Sequence, residues 1–165
     1  MVLPPNSISV KTFAVCTTFL YFKFLVTARL QAVNTFVAGA RPPEDNKLAA
    51  LLNKKGPKQN YGLVKGDEKD EKMERAIIRS ERWKHIVQND VESIPLALLV
   101  FGTGILTESN ETVQVGALVT YTLARFVHTY VYAKGMQPHR SMVWMVGVTG
   151  IVVGAFNVLA SVVFN

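Results

Sequence analysis

The chain has 165 residues, 49% of them hydrophobic, and a formal net charge of +6. This length suits one domain rather than two. The single cysteine, Cys16, excludes an internal disulfide framework and a multi-cysteine metal site. The positive charge does not indicate nucleic acid, because 11 of the 18 Lys and Arg residues fall between Arg41 and Arg82 beside eight acidic residues. That mixture lacks the interleaved aromatics of a single-strand binder and is typical of a solvated loop.

Four apolar runs are long enough to cross a membrane, which takes about 20 mainly apolar residues because the hydrocarbon core is ~30 Å thick. The first run covers residues 8–37. The second helix is expected over residues 74–106, with its apolar part at 91–106 after a polar helical approach. The third and fourth cover residues 113–133 and 141–164. The sequence therefore predicts an all-α membrane protein with four transmembrane helices in a single membrane domain.

The connections predict an up-down four-helix bundle and its orientation. Residues 41–73 form a long charged loop with several prolines and glycines, which favours an irregular segment. The second loop is short and acidic, and the third, at residues 134–140, is short and basic. Because an excess of Lys and Arg marks the cytosolic side, we expect the first and third loops in the cytosol and both termini in the lumen. Short connections make consecutive helices antiparallel neighbours.

Polar residues stand at helical spacing inside two of the predicted spans. In the second helix they are Arg82, His85, Asn89 and Glu92, and in the third Tyr121, Arg125, His128 and Tyr132. Residues three or four apart share one face of a helix, so each set predicts one polar stripe. A charge at the depth of Arg125 costs a few kcal/mol unless it is paired or hydrated. We therefore expect Arg125, Lys23 and Glu92 to face the interior of the bundle.

These charges have two interpretations. In the first, they pair with one another and hold the helices in register, which we favour for Lys23 with Asp90, while both interpretations stay open for Arg125. In the second, they line a cavity that is open to the cytosol and suits a small anionic ligand. This cavity would include three residues at the third loop, His139, Arg140 and Ser141. Three scattered histidines without a ligand-spaced pair do not make a zinc site, so no metal is expected.

Short motifs along the chain resemble those of one known family. They are Pro43-Glu44-Asp45 after the first helix, Glu81-Arg82 with Asn89-Asp90-Val91-Glu92 in the second, Arg125-Phe126-Val127-His128-Thr129 with Tyr132 in the third, and Arg140-Ser141 at the start of the fourth. In these motifs, and over all four predicted spans, the chain resembles the MAPEG superfamily of microsomal glutathione transferases and prostaglandin E synthases. The resemblance is closer to that branch than to the leukotriene synthase branch.

The resemblance implies a homotrimer of four-helix subunits, with glutathione held between neighbouring subunits on the cytosolic side as substrate or cofactor. It implies that Arg140 and Ser141 lie near the thiol, and Asp45 matches an acidic residue discussed for catalysis in prostaglandin synthases. Carried over by position, further residues that would bind glutathione are Asn89, Glu92, His128 and Tyr132. The polar stripes add Arg82 and Arg125, because guanidinium groups suit carboxylates.

These residues predict a membrane-bound glutathione transferase that activates the glutathione thiolate for attack on apolar electrophiles or lipid peroxides from the bilayer. A glutathione-dependent isomerase of the prostaglandin E synthase type is the second interpretation, which Asp45 and Arg140 keep open. A non-catalytic lipid-binding member is the third, because Val87 and Gln88 replace the histidine and basic residue usual before Asn-Asp in the family. The expected location is the endoplasmic reticulum, with the mitochondrial outer membrane as the alternative, and the expected role is detoxification. No nucleic-acid partner is expected.

Overall fold

The computed structural model describes residues 7–51, 56–63 and 71–164, and every regular element in these ranges is an α-helix. The helices are α1 (Ile8–Val37), α2 (Asp45–Leu51), α3 (Glu71–Leu106), α4 (Glu111–Lys134) and α5 (His139–Phe164). By length and composition, α1, α3 and α5 are able to cross a membrane, and α4 is not among the helices that meet this criterion. At ~1.5 Å per residue, the 36 residues of α3 extend over about 54 Å, which exceeds the ~30 Å hydrocarbon core.

The chain divides into two compact units. The first unit combines Met1–Phe24 with Asn89–Asn165, and the second unit is Leu25–Gln88. The first unit therefore contains the start of α1, the end of α3 and the whole of α4 and α5. The second unit contains the end of α1, the whole of α2 and the start of α3, so the two longest helices each contribute to both units.

The first unit is organised around an apolar core to which all its helices contribute. The core consists of Cys16 and Leu20 from α1, Ala97 and Phe101 from α3, and Ala117, Leu118 and Tyr121 from α4. Ile151 of α5 packs against this core. The Phe101 and Tyr121 rings are tilted, with their centroids 6.1 Å apart. The four helix segments thus bury one common interior.

The outer surface of α5 is apolar. Phe156 is 67% exposed and Phe164 is 84% exposed, and Met145 and Val162 are exposed to a similar degree. Water disfavours such a continuous apolar surface, whereas hydrocarbon does not. The buried face of the same helix carries small residues, so large side chains point outward and small ones inward. This distribution is typical of a helix that faces lipid.

Three glycines let α5 approach its neighbours closely. Gly147, Gly150 and Gly154 are the buried residues of α5 and share one face through spacings of three and four. A β-carbon on Gly150 would lie 3.2 Å from the carbonyl oxygen of Ala117, and one on Gly154 would lie 2.7 Å from Cε1 of Phe101. Small residues at such contacts allow the packing that drives association of helices in a membrane.

We expect Gly154→Ala to destabilise the protein. The new methyl group would overlap the Phe101 ring, and overpacking of this kind costs about 1–3 kcal/mol. Gly116→Ala is the matched control, because a β-carbon there meets nothing within 4 Å. Its stability should stay unchanged or rise by up to about 1 kcal/mol through helix propensity. Unfolding of the detergent-solubilised variants in sodium dodecyl sulfate, followed by circular dichroism, measures the difference, and equal stabilities would contradict the contact.

Hydrogen bonds tie the start of α4 to α1 and to α5. Asn110 caps α4, because its side-chain oxygen accepts a hydrogen bond from the Val113 N–H at 3.2 Å. Ser9 of α1 donates from its backbone N–H and its hydroxyl to Glu111 Oε2, at 3.3 and 3.4 Å. Asn157 of α5 donates from Nδ2 to the Asn110 carbonyl at 3.1 Å. These bonds fix the position of α4 along its axis relative to α1 and α5.

The last turn of α4 leads into α5 after only a few residues. Gly135 has a φ of 69°, a left-handed conformation that glycine adopts without a steric penalty. Its N–H donates to the Tyr132 carbonyl at 3.0 Å, and the Met136 N–H donates to the Val131 carbonyl at 3.0 Å. The chain therefore reverses tightly, and the first turn of α5 returns against the last turn of α4.

Candidate functional site

Three charged side chains from three helices meet inside the first unit. Lys23 of α1 donates to both carboxylate oxygens of Asp90 in α3, at 2.6 Å for Oδ1 and 2.5 Å for Oδ2. Arg125 of α4 donates from Nη2 to Oδ1 at 2.5 Å. None of the three side chains is more than 4% exposed. We refer to Lys23, Asp90 and Arg125 as the buried ion triad.

The buried ion triad holds α1, α3 and α4 in one register. An ion taken from water into a protein interior costs several kcal/mol, which only a close partner with good hydrogen bonds offsets. Asp90 provides such a partner for both cations. The structure thus confirms the expected pair of Lys23 with Asp90, and it places Arg125 on the same carboxylate. With two cations for one anion, the three groups together keep an excess of positive charge.

A second polar cluster lies where α4 ends and α5 begins. The ring centroids of His128 and Tyr132 are 5.6 Å apart in an edge-to-face arrangement. The guanidinium carbon of Arg140 lies 4.6 Å from the centroid of the Tyr132 ring, where the face of the ring attracts a cation. His128 is buried, whereas Tyr132 and Arg140 are half-buried, so the cluster reaches from the core towards the surface. The structure therefore brings three of the predicted site residues together.

The turn before α5 also holds Arg140. With its amide oxygen turned towards Arg140, Gln137 accepts from Nε at 3.0 Å and from Nη2 at 2.5 Å. The backbone N–H groups of Arg140 and Ser141 donate to the carbonyls of Met136 and Pro138, at 3.1 and 3.0 Å. Ser141 is exposed in this first turn of α5. The first turn of α5 consequently carries a guanidinium and a hydroxyl at the positive end of the helix dipole.

The two predicted site residues of α3 in the first unit lie outside its core. Asn89 is half-buried and Glu92 is exposed. The expectation that Glu92 faces the interior is therefore wrong for the single chain. Asp90 shares the inward face with Ala97 and Phe101 through spacings of seven and four. Glu92 follows Asp90 by two residues and is therefore rotated from it by roughly 200° about the axis of α3, so it points away from that face.

The remaining predicted site residues, Asp45 and Arg82, belong to the second unit. Asp45 is the first residue of α2, and its Oδ2 accepts a hydrogen bond from Arg41 Nη1 at 3.1 Å. Both side chains of this pair are 29% exposed. Arg82 is exposed on the polar part of α3. The carboxylate of Asp45 is thus oriented by a neighbouring guanidinium within its own unit.

Hydrogen bonds of Gln59 hold the chain near the Arg41–Asp45 pair. Gln59 is 0% exposed; its Nε2 donates to the Phe36 carbonyl near the end of α1 at 3.0 Å, and its Oε1 accepts from the Arg41 N–H at 3.2 Å. Asn46 of α2 accepts from the Gln59 N–H at 2.8 Å and donates to its carbonyl at 2.9 Å. Side-chain hydrogen bonds of Gln59 and Asn46 therefore hold the segment from the end of α1 to α2.

The sequence of the chain matches a known protein family. The model of the MAPEG family matches residues 12–160, which is most of the chain. The chain belongs to the MAPEG family. None of the curated proteins with which the chain was compared matches it. Its membership therefore rests on the family pattern over residues 12–160 rather than on one relative.

Membership in the MAPEG family, together with three helices able to cross a membrane, identifies an integral membrane protein. The matched region contains both the buried ion triad and the cluster of His128, Tyr132 and Arg140. The family includes glutathione transferases and related enzymes, which supports a function related to glutathione. In the described part of the chain, no group of three metal-ligating side chains is placed to hold a metal ion.

Two polar features of this MAPEG member were not predicted from the sequence. One is Gln59, since a glutamine in a polar loop gives no sign that it is buried. The other is a hydrogen bond of 3.0 Å between Ser93 Oγ and Tyr121 Oη inside the first unit. Ser93 follows Asn89 by four residues, so the spacing that selected Asn89 would also have selected Ser93.

Proposed function

We propose that the chain is a membrane-bound glutathione transferase that activates the glutathione thiol for attack on apolar electrophiles or lipid peroxides. The observation that carries this proposal is the placement of Arg140, 4.6 Å from the centroid of the Tyr132 ring at the first turn of α5. A fixed cation beside a hydroxyl and a helix N-terminus is the setting that favours a thiolate. Membership in the MAPEG family, whose members use glutathione, supports glutathione as the thiol.

The described residues fit the chemistry of glutathione, which has two carboxylates, an amine and a thiol. Glu92, exposed on α3, would accept hydrogen bonds from the amine, and Asn89 would bond a neighbouring amide. His128 and Tyr132 would bond the peptide at the end of α4. Arg125 would act through the positive charge of the buried ion triad, because its Nη2 already donates to Asp90. Arg82, as a carboxylate ligand, rests on the resemblance in sequence.

Arg140 and Ser141 would carry the catalytic step. A free thiol has a pKa near ~8.5, so most of it is protonated and weakly nucleophilic at neutral pH. A guanidinium beside the sulfur favours the thiolate by Coulomb attraction, and the Ser141 hydroxyl would donate a hydrogen bond to it. A pKa lowered by one or two units corresponds to roughly 1.4–2.7 kcal/mol of thiolate stabilisation. The apolar second substrate would enter from the bilayer.

We further propose a homotrimer of up-down four-helix subunits, with glutathione between neighbours. Glu92 supports this arrangement, because an exposed carboxylate at the start of the apolar part of α3 is unfavourable in lipid and a neighbouring subunit would cover it. α4 would be the fourth spanning helix, since its Arg125 is enclosed and pairs with Asp90 at 2.5 Å. The basic loops would face the cytosol and the termini the lumen of the endoplasmic reticulum.

A glutathione-dependent isomerase acting on a lipid peroxide is the second candidate. The observation that favours it is the Arg41–Asp45 pair, because Asp45 is held in one orientation by a bond of 3.1 Å and is supported by the Gln59 hydrogen bonds. A carboxylate fixed in this way is suited to accept a proton from a substrate. The third candidate, a non-catalytic lipid-binding member, keeps the helices but requires no thiolate.

Glutathione binding by the purified protein tests the proposal. Equilibrium dialysis in detergent micelles should show saturable binding, and the same preparation should conjugate glutathione to a chloronitrobenzene. Product analysis with a lipid endoperoxide, run in parallel, separates transferase from isomerase. Binding without turnover of either substrate would support the non-catalytic alternative. Absence of glutathione binding by the folded protein would overturn the proposed function as a whole.

A further inference from the structure

A small cavity is lined by Arg125 of the buried ion triad and by His128 of the cluster at the start of α5. It has a volume of about 10 Å³ and lies between α3, α4 and α5. Its polar lining residues are Ser93, Tyr121, Arg125 and His128, and Gly147 lines it from α5. All of these residues lie in the first unit. The cavity thus connects a residue of the triad with a proposed glutathione-binding residue.

Two enclosed polar atoms belong to the residues that line this cavity. Arg125 Nε and His128 Nδ1 have no hydrogen-bond partner among the described residues, and both residues are 3% exposed. A buried polar group without a partner costs about 1–3 kcal/mol. The two atoms come from residues one helical turn apart, so they share a face of α4. They therefore provide a buried donor and a potential acceptor on the same face of α4.

We propose that this cavity is an internal hydration site for one water molecule, which bridges Arg125 Nε to His128 Nδ1. A volume of roughly 10–15 Å³ is the minimum that holds a water, and such a water needs two to four polar partners. The water would accept from the Arg125 Nε–H and donate to Nδ1. The Ser93–Tyr121 hydroxyl pair would provide the remaining partner, because one hydroxyl hydrogen and several lone pairs stay available beyond the bond that joins them.

The bridging water fixes the tautomer of His128. The Arg125 Nε–H and the spare hydroxyl hydrogen of the Ser93–Tyr121 pair would occupy both lone pairs of the water, so Nδ1 would accept a hydrogen bond from the water rather than donate one to it. A neutral imidazole has one donor and one acceptor, so acceptance at Nδ1 places its proton on Nε2. His128 then presents an N–H donor on the side of the ring away from the cavity. If the proposed function holds, this donor is the group that His128 offers to glutathione, and Arg125 is its positioning residue.

Nitrogen NMR of ¹⁵N-histidine-labelled protein tests the hydration site without any ligand. The chain has three histidines, and the signals that vanish in His128→Gln identify those of His128. We expect a proton on Nε2 and an unprotonated, hydrogen-bonded Nδ1. Gly147→Ala should fill the cavity, and its β-carbon would make only ordinary contacts, 3.7 Å from Ala124 Cβ and 4.0 Å from Tyr121 Cδ2. It should shift the Nδ1 signal, whereas Gly116→Ala should leave the signal unchanged.

A second variant and a kinetic measurement complete the test. Arg125→Lys keeps a cation for Asp90 but has no Nε–H, so it should shift Nδ1 in the same sense as Gly147→Ala. Both variants should raise the KM for glutathione by roughly three- to tenfold, the effect of one misplaced hydrogen bond, with a smaller change in kcat. A proton on Nδ1 in the unmodified protein, or an Nδ1 signal unaffected by both variants, would overturn the proposal. If glutathione fails to bind while the NMR result holds, the proposed function fails and the hydration site stands.

Discussion

Replacing Asp90 with asparagine should destabilise the protein by about 3–5 kcal/mol, the cost of leaving buried cations without their counter-ion. The carboxylate accepts from Lys23 at 2.5 and 2.6 Å and from Arg125 at 2.5 Å, and all three side chains are almost fully enclosed. An asparagine keeps the size of the side chain but removes its charge. Two cations would then repel each other in an environment that screens charge poorly.

The measurement is the free energy of unfolding in sodium dodecyl sulfate, followed by far-ultraviolet circular dichroism. The matched control is Glu81→Gln, because Glu81 pairs with Lys84 at 3.7 Å on an exposed part of α3. That change should alter stability by no more than about 0.5 kcal/mol. Adding Lys23→Met to Asp90→Asn should recover part of the loss, since one unpaired cation disappears. An Asp90→Asn variant as stable as the control would refute the structural role of the triad.

Arg140→Ala should lower kcat/KM for glutathione conjugation by roughly tenfold to a hundredfold at neutral pH, which corresponds to one or two units in the pKa of the thiol. The guanidinium, held by Tyr132 and Gln137, would favour the thiolate of bound glutathione. Its loss raises the pKa of that thiol towards the free value. The activity of the variant should therefore increase with pH and approach that of the unmodified protein only in alkaline solution.

Lys134→Ala is the matched control for Arg140→Ala, because it removes a cation of the same loop that is exposed at the end of α4. Its pH profile should coincide with that of the unmodified protein. Tyr132→Phe keeps the ring over which Arg140 lies and should preserve the profile, whereas Tyr132→Leu should shift it towards Arg140→Ala. An unshifted profile in Arg140→Ala would exclude this arginine as the group that activates the thiol.

The sequence predicted only part of the candidate site. Spacing placed His128 and Tyr132 on one face of α4, because helical periodicity is a local property. The same periodicity selected Glu92, yet it does not indicate which face of α3 turns inward, and Asp90 occupies that face. Gln59 was missed because its environment is formed by Phe36, Arg41 and Asn46, which lie 13 to 23 residues earlier in the chain. Such an environment leaves no pattern in the linear chain.

The sequence by itself determined that the protein is helical and that it has helices able to span a membrane. The length and hydropathy of an apolar run are properties of the chain alone. It also indicated that Lys23 and Arg125 need partners, because an isolated charge is costly in hydrocarbon. Only the tertiary structure decided that both share Asp90, which lies 67 residues from Lys23 and 35 from Arg125. Likewise, only the tight turn at Gly135 brings Arg140 to the Tyr132 ring. Contacts over such separations depend on the rotation and register of whole helices, which the packing of the entire core sets at once.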